Sequence, residues 1–213
     1  MSVTCEIKNC KTLKKRLEDT KKAPRKVIKA LTSDATKRVP GWVAVEVSKV
    51  YGVKKSEITG KKIGNVKAYG DNVKNLKFIY TGRYLTHTHF SMNPTAPPSG
   101  GYTLKATVLK GKRATLGKIK KLTKKQRKAL AKNFTGSGTQ SSQKSPVMLM
   151  RANGGHYLPF QRKSADRNDI KAIKVISLPQ MISREPTNGN IQNAIDKGLG
   201  KRLDHHMKRY MGK

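Results

Sequence analysis

Acidic residues are scarce in this chain, and none occurs between Asp71 and Asp166. The 213 residues include 47 Lys and Arg but only 12 Asp and Glu, which gives a formal net charge of +35. Charge of one sign opposes compaction through self-repulsion, and only 35% of the residues are hydrophobic. The composition therefore argues against a free small-molecule enzyme. It favours a chain that works inside an assembly or beside a polyanion.

Cysteines and long apolar runs are also nearly absent. Cys5 and Cys10 have no second Cys or His pair near them, so a zinc site is disfavoured. Two cysteines are too few for the disulfide framework of a small secreted fold. This indicates reduced thiols in a cytosolic compartment. No apolar run approaches the ~20 residues of a membrane span. The N-terminus lacks the apolar segment of a signal peptide.

The motifs of common enzyme classes are missing from the sequence. It contains no phosphate-binding glycine loop of the Walker or dinucleotide type, and no Gly-x-Ser-x-Gly elbow. Neither cysteine is placed with a partner base. We therefore predict that the protein is not an enzyme and that it has no cofactor and no metal site.

Two small groups of residues offer alternatives. His87 and His89 form a His-x-His pair, but one such pair without a neighbouring carboxylate or Cys is a weak metal signal. The C-terminal segment contains residue types that tyrosine recombinases use, namely Arg202, His205, Arg209 and Tyr210. Tyr210 continues the helical spacing of Leu203 and Met207, so packing in the core is favoured for it.

Helical periodicity is found at both ends of the chain. Residues 9 to about 51 are predicted to be helical, with Val27, Ile28 and Leu31 in one apolar stripe. Pro24 is expected to start a second helix, because proline is tolerated in a first turn. Pro40 is expected to open a third segment, for which a helix is favoured and a strand is the alternative. Residues 190–211 form the clearest amphipathic helix.

Alternating polar and apolar residues predict antiparallel strands in the middle of the chain. The predicted strands lie within residues 75–82, 83–90, 102–109 and 147–178. Residues 93–101 are predicted to be an exposed loop. Asn153-Gly154-Gly155 predicts a hairpin turn, because glycine accepts positive φ without steric cost. The sequence therefore predicts one α+β domain over residues 1–213.

Residues 110–146 are predicted to be a basic, flexible insertion within this domain, with one short helix capped by Thr123. Phe134 is its only aromatic residue, so any contact with DNA would be non-specific and directed at the backbone. The candidate contacts with DNA or a protein partner are Lys112, Arg113, Lys118, Lys120, Lys121, Lys124, Lys125, Arg127, Lys128 and Lys132.

The order of these parts resembles the minor tail protein Z family of long-tailed bacteriophages and prophages, the tail completion proteins. The resemblance lies in residues 39–58, 83–90 and, above all, 147–182. The family's hairpin motif and its proline before the last helix correspond to Met148, Arg151, Gly155, His156, Phe160, Gln161, Arg162 and Pro179. The family usually has Pro-Ile where this chain has Asp169-Ile170.

The resemblance implies a virion structural protein that completes the tail and joins it to the head, without catalysis. It implies a ring of about six subunits, which heterologous contacts close by rotation. The implied partners are further copies of the chain, the tail terminator or tail tube protein, the head-side connector and the end of the phage DNA. The implied location is the head-proximal end of the tail, after assembly in the host cytoplasm and without membrane attachment. The alternative is a non-specific nucleic-acid-binding protein, associated with ribosomes or the nucleoid.

Overall fold

A computed structural model describes residues 2–6, 25–73, 75–119, 147–152, 155–162 and 169–212 of the chain. The fold is α+β, with helices and antiparallel sheets, as predicted. Its contacts divide the chain into two compact units. Unit 1 comprises residues 1–84 and 176–213, and unit 2 comprises residues 85–175. The prediction of a single domain stays a prediction.

Two long helices form the core of unit 1, α1 (Arg25–Val50) and α4 (Thr187–Met211). Every fourth residue of α1 from Val27 to Val47 is buried, and the same holds in α4 from Ile191 to Leu203. Residues four apart lie on the same face of a helix, so each helix presents one continuous apolar ridge. The two helices pack against each other. The predicted C-terminal amphipathic helix is confirmed.

Pro40 lies inside α1 and does not open a separate segment. The predicted boundary at Pro40 was therefore wrong, and the strand alternative for the following residues is excluded. Proline removes one backbone donor and disfavours a helix interior. Val39 and Val43 on either side of it are fully buried, so core packing offsets this loss. Residues 9–24 of the predicted helical region lie outside the described residues.

A three-stranded antiparallel sheet completes unit 1 with two short helices. The strands are β1 (Ser2–Glu6), β2 (Asn65–Tyr69) and β3 (Lys77–Thr81), in the order β1-β3-β2. The short helices are α2 (Lys55–Thr59) and α3 (Leu178–Ser183). Phe78 and Tyr80 of β3 are buried, which confirms the predicted alternation. The sequence did not predict β1, because its pairing with β3 links residues more than seventy positions apart.

The described residues of unit 2 form strands and a 3-10 turn at His87–His89. β5 (Ser91–Asn93), β6 (Tyr102–Leu109) and β7 (Lys112–Ile119) form one antiparallel sheet. β8 (Val147–Arg151), β9 (Tyr157–Arg162) and β10 (Ile170–Ala172) form a second, in the order β10-β9-β8. β4 (Tyr84–Thr86) pairs with β11 (Lys174–Ser177). The hydrophobic core of unit 2 contains Met92, Leu104 and Leu149.

Two sequence predictions need correction in unit 2. The run at residues 83–90 is not one strand, because β4 ends at Thr86 and the chain turns through His87–His89. The predicted flexible insertion also begins too early, because residues 112–119 are strand β7, paired with β6. The remainder of that segment, including Thr123 and Phe134, lies outside the described residues.

Candidate macromolecule-contact surface

One face of the sheet β5-β6-β7 is polar and the other is apolar. Directly opposite residues in an antiparallel pair share a face. Leu104 and Ala106 of β6 and Met92 of β5 are buried and form the apolar face. Lys105 alternates with them and lies on the opposite face. We call this opposite face the basic sheet face. Its cations are Lys105, Arg113 and Lys118.

A β-bulge in β7 decides which of its cations reach this face. Lys118 lies opposite Thr103, and Thr115 lies opposite Lys105, so the register shifts at Leu116. Thr103 and Lys105 are two residues apart and share a face, and their partners must share it too. Strict alternation along β7 would have placed Thr115 and Lys118 on opposite faces of the sheet. The bulge therefore re-aims Lys118, a known effect of such insertions.

Arg113 lies two residues from Thr115 in β7 and shares its face by alternation, and a second register shift in β6, between Ala106 and Leu109, lies opposite it. Lys105 thus occupies the centre of the three cations, with Arg113 and Lys118 as its diagonal neighbours at roughly 7–8 Å. The three side chains are exposed. None of the ion pairs in the described chain involves any of them. The other polar residues of the face are neutral, namely Ser91, Asn93, Thr103, Thr107 and Thr115.

Of the predicted partner contacts, the structure thus describes Lys112, Arg113 and Lys118. Lys112 lies opposite Leu109 at the tip of the β6–β7 hairpin. Lys105 was not among the predicted contacts, because those were chosen within the predicted insertion that begins at residue 110. The remaining candidates lie outside the described residues, namely Lys120, Lys121, Lys124, Lys125, Arg127, Lys128 and Lys132.

The residues that carry the family resemblance lie mainly in the β8–β9 hairpin, whose predicted pairing is confirmed. Arg151 ends β8 and is exposed, and Gly155 has a φ of 78° in the connection. His156 accepts a backbone hydrogen bond from Ala152 at 2.9 Å. The motif residues within β9 are Phe160, Gln161 and Arg162. Asn153 and Gly154 of the predicted turn lie outside the described residues.

Pro179 lies in unit 1, in the first turn of α3 rather than directly before the last helix. The helix begins with a capping box, in which Ser177 accepts a hydrogen bond from the backbone of Gln180. The Gln180 side chain in turn accepts one from the Ser177 backbone at 3.0 Å. Pro179 packs so close to Gly82 that a Cβ there would lie 3.0 Å from the proline ring. The arrangement makes Pro179 a packing and helix-starting residue.

His87 is a buried core residue of unit 2. Its imidazole interacts with the backbone of Ile173, and its Nδ1 has no hydrogen-bond partner. Burial lowers the pKa of His87, and the Ile173 contact opposes this shift only in part. No group of three or more His, Cys, Asp or Glu within the described ranges could hold a metal ion.

A polar cluster that the sequence analysis missed joins α1 to α4. The Asp34 carboxylate accepts a hydrogen bond from Arg202 Nε at 2.5 Å and one from His206 Nε2 at 2.9 Å. Arg38 lies 3.6 Å from the same carboxylate. Burial raises the pKa of Asp34, but the hydrogen bonds from Arg202 and His206 and the charges of Arg202 and Arg38 outweigh it. The net shift is downward.

The recombinase-like set does not come together at this cluster. Arg202 is committed to Asp34, whereas His205 and Tyr210 are exposed. The prediction of core packing for Tyr210 was also wrong, because 41% of the residue is exposed. Its ring stacks on His206 at 6.2 Å and lies under the guanidinium of Arg209 at 5.5 Å. The apolar ridge of α4 ends at Leu203, since Met207 is only half-buried and Tyr210 is exposed.

No helix of the described ranges is both long and apolar enough to cross a membrane. Comparisons with protein-family models, with curated proteins and with solved structures give no match.

Proposed function

We propose that this chain is a structural protein of a phage virion, which completes the tail and joins it to the head. The observation that carries the proposal is the order of its parts. After the short strand β1, helices α1 and α2 precede antiparallel strands, the β8–β9 hairpin with its aromatic-Gln-Arg, strands β10 and β11, the short helix α3 with Pro179 and the long final helix α4. This order is the one in which the sequence resembles tail completion proteins.

The chemistry of the described residues is compatible with a structural role. The Asp34 cluster holds two helices together, with Arg202 at 2.5 Å and His206 at 2.9 Å. The exposed cations of unit 2 need a counter-charge from outside their own sheet. In a ring of about six subunits, acidic neighbours or DNA in the tail lumen would supply that counter-charge. The proposed partners are further copies of the chain, the tail terminator or tail tube protein and the head-side connector.

The proposal is tested in a phage from which this gene is deleted. Lysates should contain particles that look nearly complete but infect poorly, and supply of the wild-type chain from a plasmid should restore infectivity. Antibody labelling should place the chain at the head-proximal end of the tail. The matched control is a plasmid with a stop codon early in the same gene. Normal infectivity of the deleted particles, or label elsewhere on the virion, would contradict the proposal.

The alternative, a non-specific nucleic-acid-binding protein of the ribosome or nucleoid, is favoured by the basic sheet face alone. It predicts that the chain copurifies with host ribosomes or chromosomal DNA and is absent from purified particles. Quantifying the chain in purified virions and in host ribosome and nucleoid fractions separates the two functions.

A further inference from the structure

We infer that the basic sheet face binds the phosphate backbone of duplex DNA. The face is defined by Lys105, Arg113 and Lys118 on the exposed side of the β6–β7 hairpin. The inference stands on the register and charge of this hairpin, and it holds whether or not the chain is a tail protein.

The residue types of the face are those that contact phosphates. Lys and Arg neutralise the charge of the backbone, and Ser, Thr and Asn side chains donate hydrogen bonds to its oxygens. The three cations are surrounded by five neutral residues of these types, namely Ser91, Asn93, Thr103, Thr107 and Thr115. Asp169 is the one acid among the described residues of unit 2, and it lies outside this sheet.

The spacing of the cations adds to this argument. Lys105 has Arg113 and Lys118 as diagonal neighbours, so three positive charges lie close together on one face without an acid among them. The bulge at Leu116 creates this proximity, since regular alternation would have turned Lys118 to the apolar side. A polyanion that spans the hairpin removes the repulsion at all three positions.

Duplex DNA fits the face better than a single strand does. Proteins that bind single strands use aromatic side chains as stacking platforms for the bases. The basic sheet face carries no aromatic residue among its described positions, and Tyr102 of β6 packs instead on the apolar side. A flat surface of cations and hydroxyl groups contacts the backbone of a duplex without reading its bases.

The test compares two charge-matched variants of the full chain. The face variant carries Lys105→Gln, Arg113→Gln and Lys118→Gln. The control variant carries Lys171→Gln, Lys174→Gln and Arg83→Gln, three exposed positions that do not belong to the sheet β5-β6-β7. Affinity for a random DNA duplex of about 30 base pairs, and for a single strand of equal length, is measured between ~0.05 and ~0.3 M salt.

The face variant should bind the duplex at least ~10-fold more weakly near physiological salt, and its salt slope should be smaller by about 2.7. The control variant should stay within about threefold of the wild type. Equal losses in the two variants would show that binding follows net charge alone and would overturn the inference. No loss in the face variant, or a loss confined to the single strand, would also overturn it.

Footprinting of the unmodified chain gives a test that needs no folded variant. Acetylation with a lysine-reactive reagent is compared with and without the duplex. Bound DNA should protect Lys105 and Lys118, whereas Lys171 and Lys174 should react as before. Equal protection of all four lysines, or protection of the control pair alone, would overturn the inference. A Lys105→Arg/Lys118→Arg variant should retain duplex affinity, because it keeps both charges.

Discussion

At the scale of single residues, the Asp34 carboxylate links the two long helices of unit 1. Its carboxylate accepts hydrogen bonds from Arg202 and His206, which lie 168 and 172 positions away in the sequence. His206 donates through Nε2, and its Nδ1 is a buried atom without a hydrogen-bond partner. The cluster therefore helps to set the position of α1 relative to α4.

Removal of the Asp34 carboxylate should destabilise the fold. Asp34→Ala leaves Arg202 and His206 unpaired, and we expect a loss of about 1–3 kcal/mol in the free energy of unfolding. Urea denaturation followed by circular dichroism measures it. Lys37→Ala, at an exposed position of the same helix, should change stability by less than ~0.5 kcal/mol. A loss no larger than that of the control would contradict the role assigned to Asp34.

The contribution of Asp34 should depend on pH. Its pKa in the folded chain lies below the ordinary value of 3.8, so the unfolded chain takes up a proton first as the pH falls. The stabilisation is therefore complete well above 3.8 and is lost as the pH falls through the folded-state pKa. The stability difference between wild type and Asp34→Ala should be largest near ~pH 7 and should shrink below about pH 4. A difference that grows on acidification would contradict this sign.

At the scale of elements, the contact between α1 and α4 depends on a glycine in α4. A Cβ on Gly198 would lie 2.6 to 2.8 Å from three ring carbons of Trp42. The bulky ring of α1 thus occupies the space that a side chain at residue 198 would need. Gly200, one half-turn further along the same helix, faces open space, since a Cβ there would meet no atom within 4 Å.

Replacement of these two glycines by alanine should therefore change the stability of the protein in opposite directions. Alanine in a helix interior normally gains up to ~1 kcal/mol over glycine, so Gly200→Ala should stabilise the protein. Gly198→Ala should destabilise it by about 1–3 kcal/mol, because the Trp42 ring has to move. Trp42 is the only tryptophan, so its fluorescence reports both the displacement and the unfolding transition. Equal stabilisation by the two substitutions would refute the packing described here.

At the scale of the whole molecule, neither unit is electrically neutral. Unit 2 contains only two of the 12 acidic residues, Asp166 and Asp169. Unit 1 contains the others but still has more than twice as many Lys and Arg as acids. Some of those acids already form ion pairs within their own unit. The Glu46 carboxylate, for example, lies 2.6 Å from Lys49 Nζ. The two ends of the chain therefore do not cancel the charge of its middle.

Stability should consequently rise with ionic strength. A net charge of +35 destabilises the compact state by self-repulsion, and salt screens that repulsion. The melting temperature should increase by several degrees between ~0.05 and ~0.5 M NaCl in a thermal unfolding experiment. Sucrose at matched osmolality serves as the uncharged control. A melting temperature that is constant or falls with salt would contradict a stability limited by repulsion.

Elements with strong local patterns could be predicted without coordinates. The three- and four-residue spacing in α4, the alternation in β3 and β6 and the Asn153-Gly154-Gly155 hairpin signal each predict one element within a few residues. For α1 the spacing predicts a helix, but one divided at Pro40. The sequence also determined the charge imbalance, because that needs no coordinates. The boundary at Pro40 and the strand through His87 were predicted wrongly, since core packing and a local turn outweighed the propensities there.

Contacts between segments that are distant in the sequence could not be predicted and are known from the fold alone. The Asp34 cluster joins residues from opposite ends of the chain, and β1 finds its partner in β3. The composition of the basic sheet face depends on a one-residue register shift at Leu116, which no propensity reveals. Local periodicity records which side of an element is buried, whereas the partner of each side chain is set by the packing of distant segments.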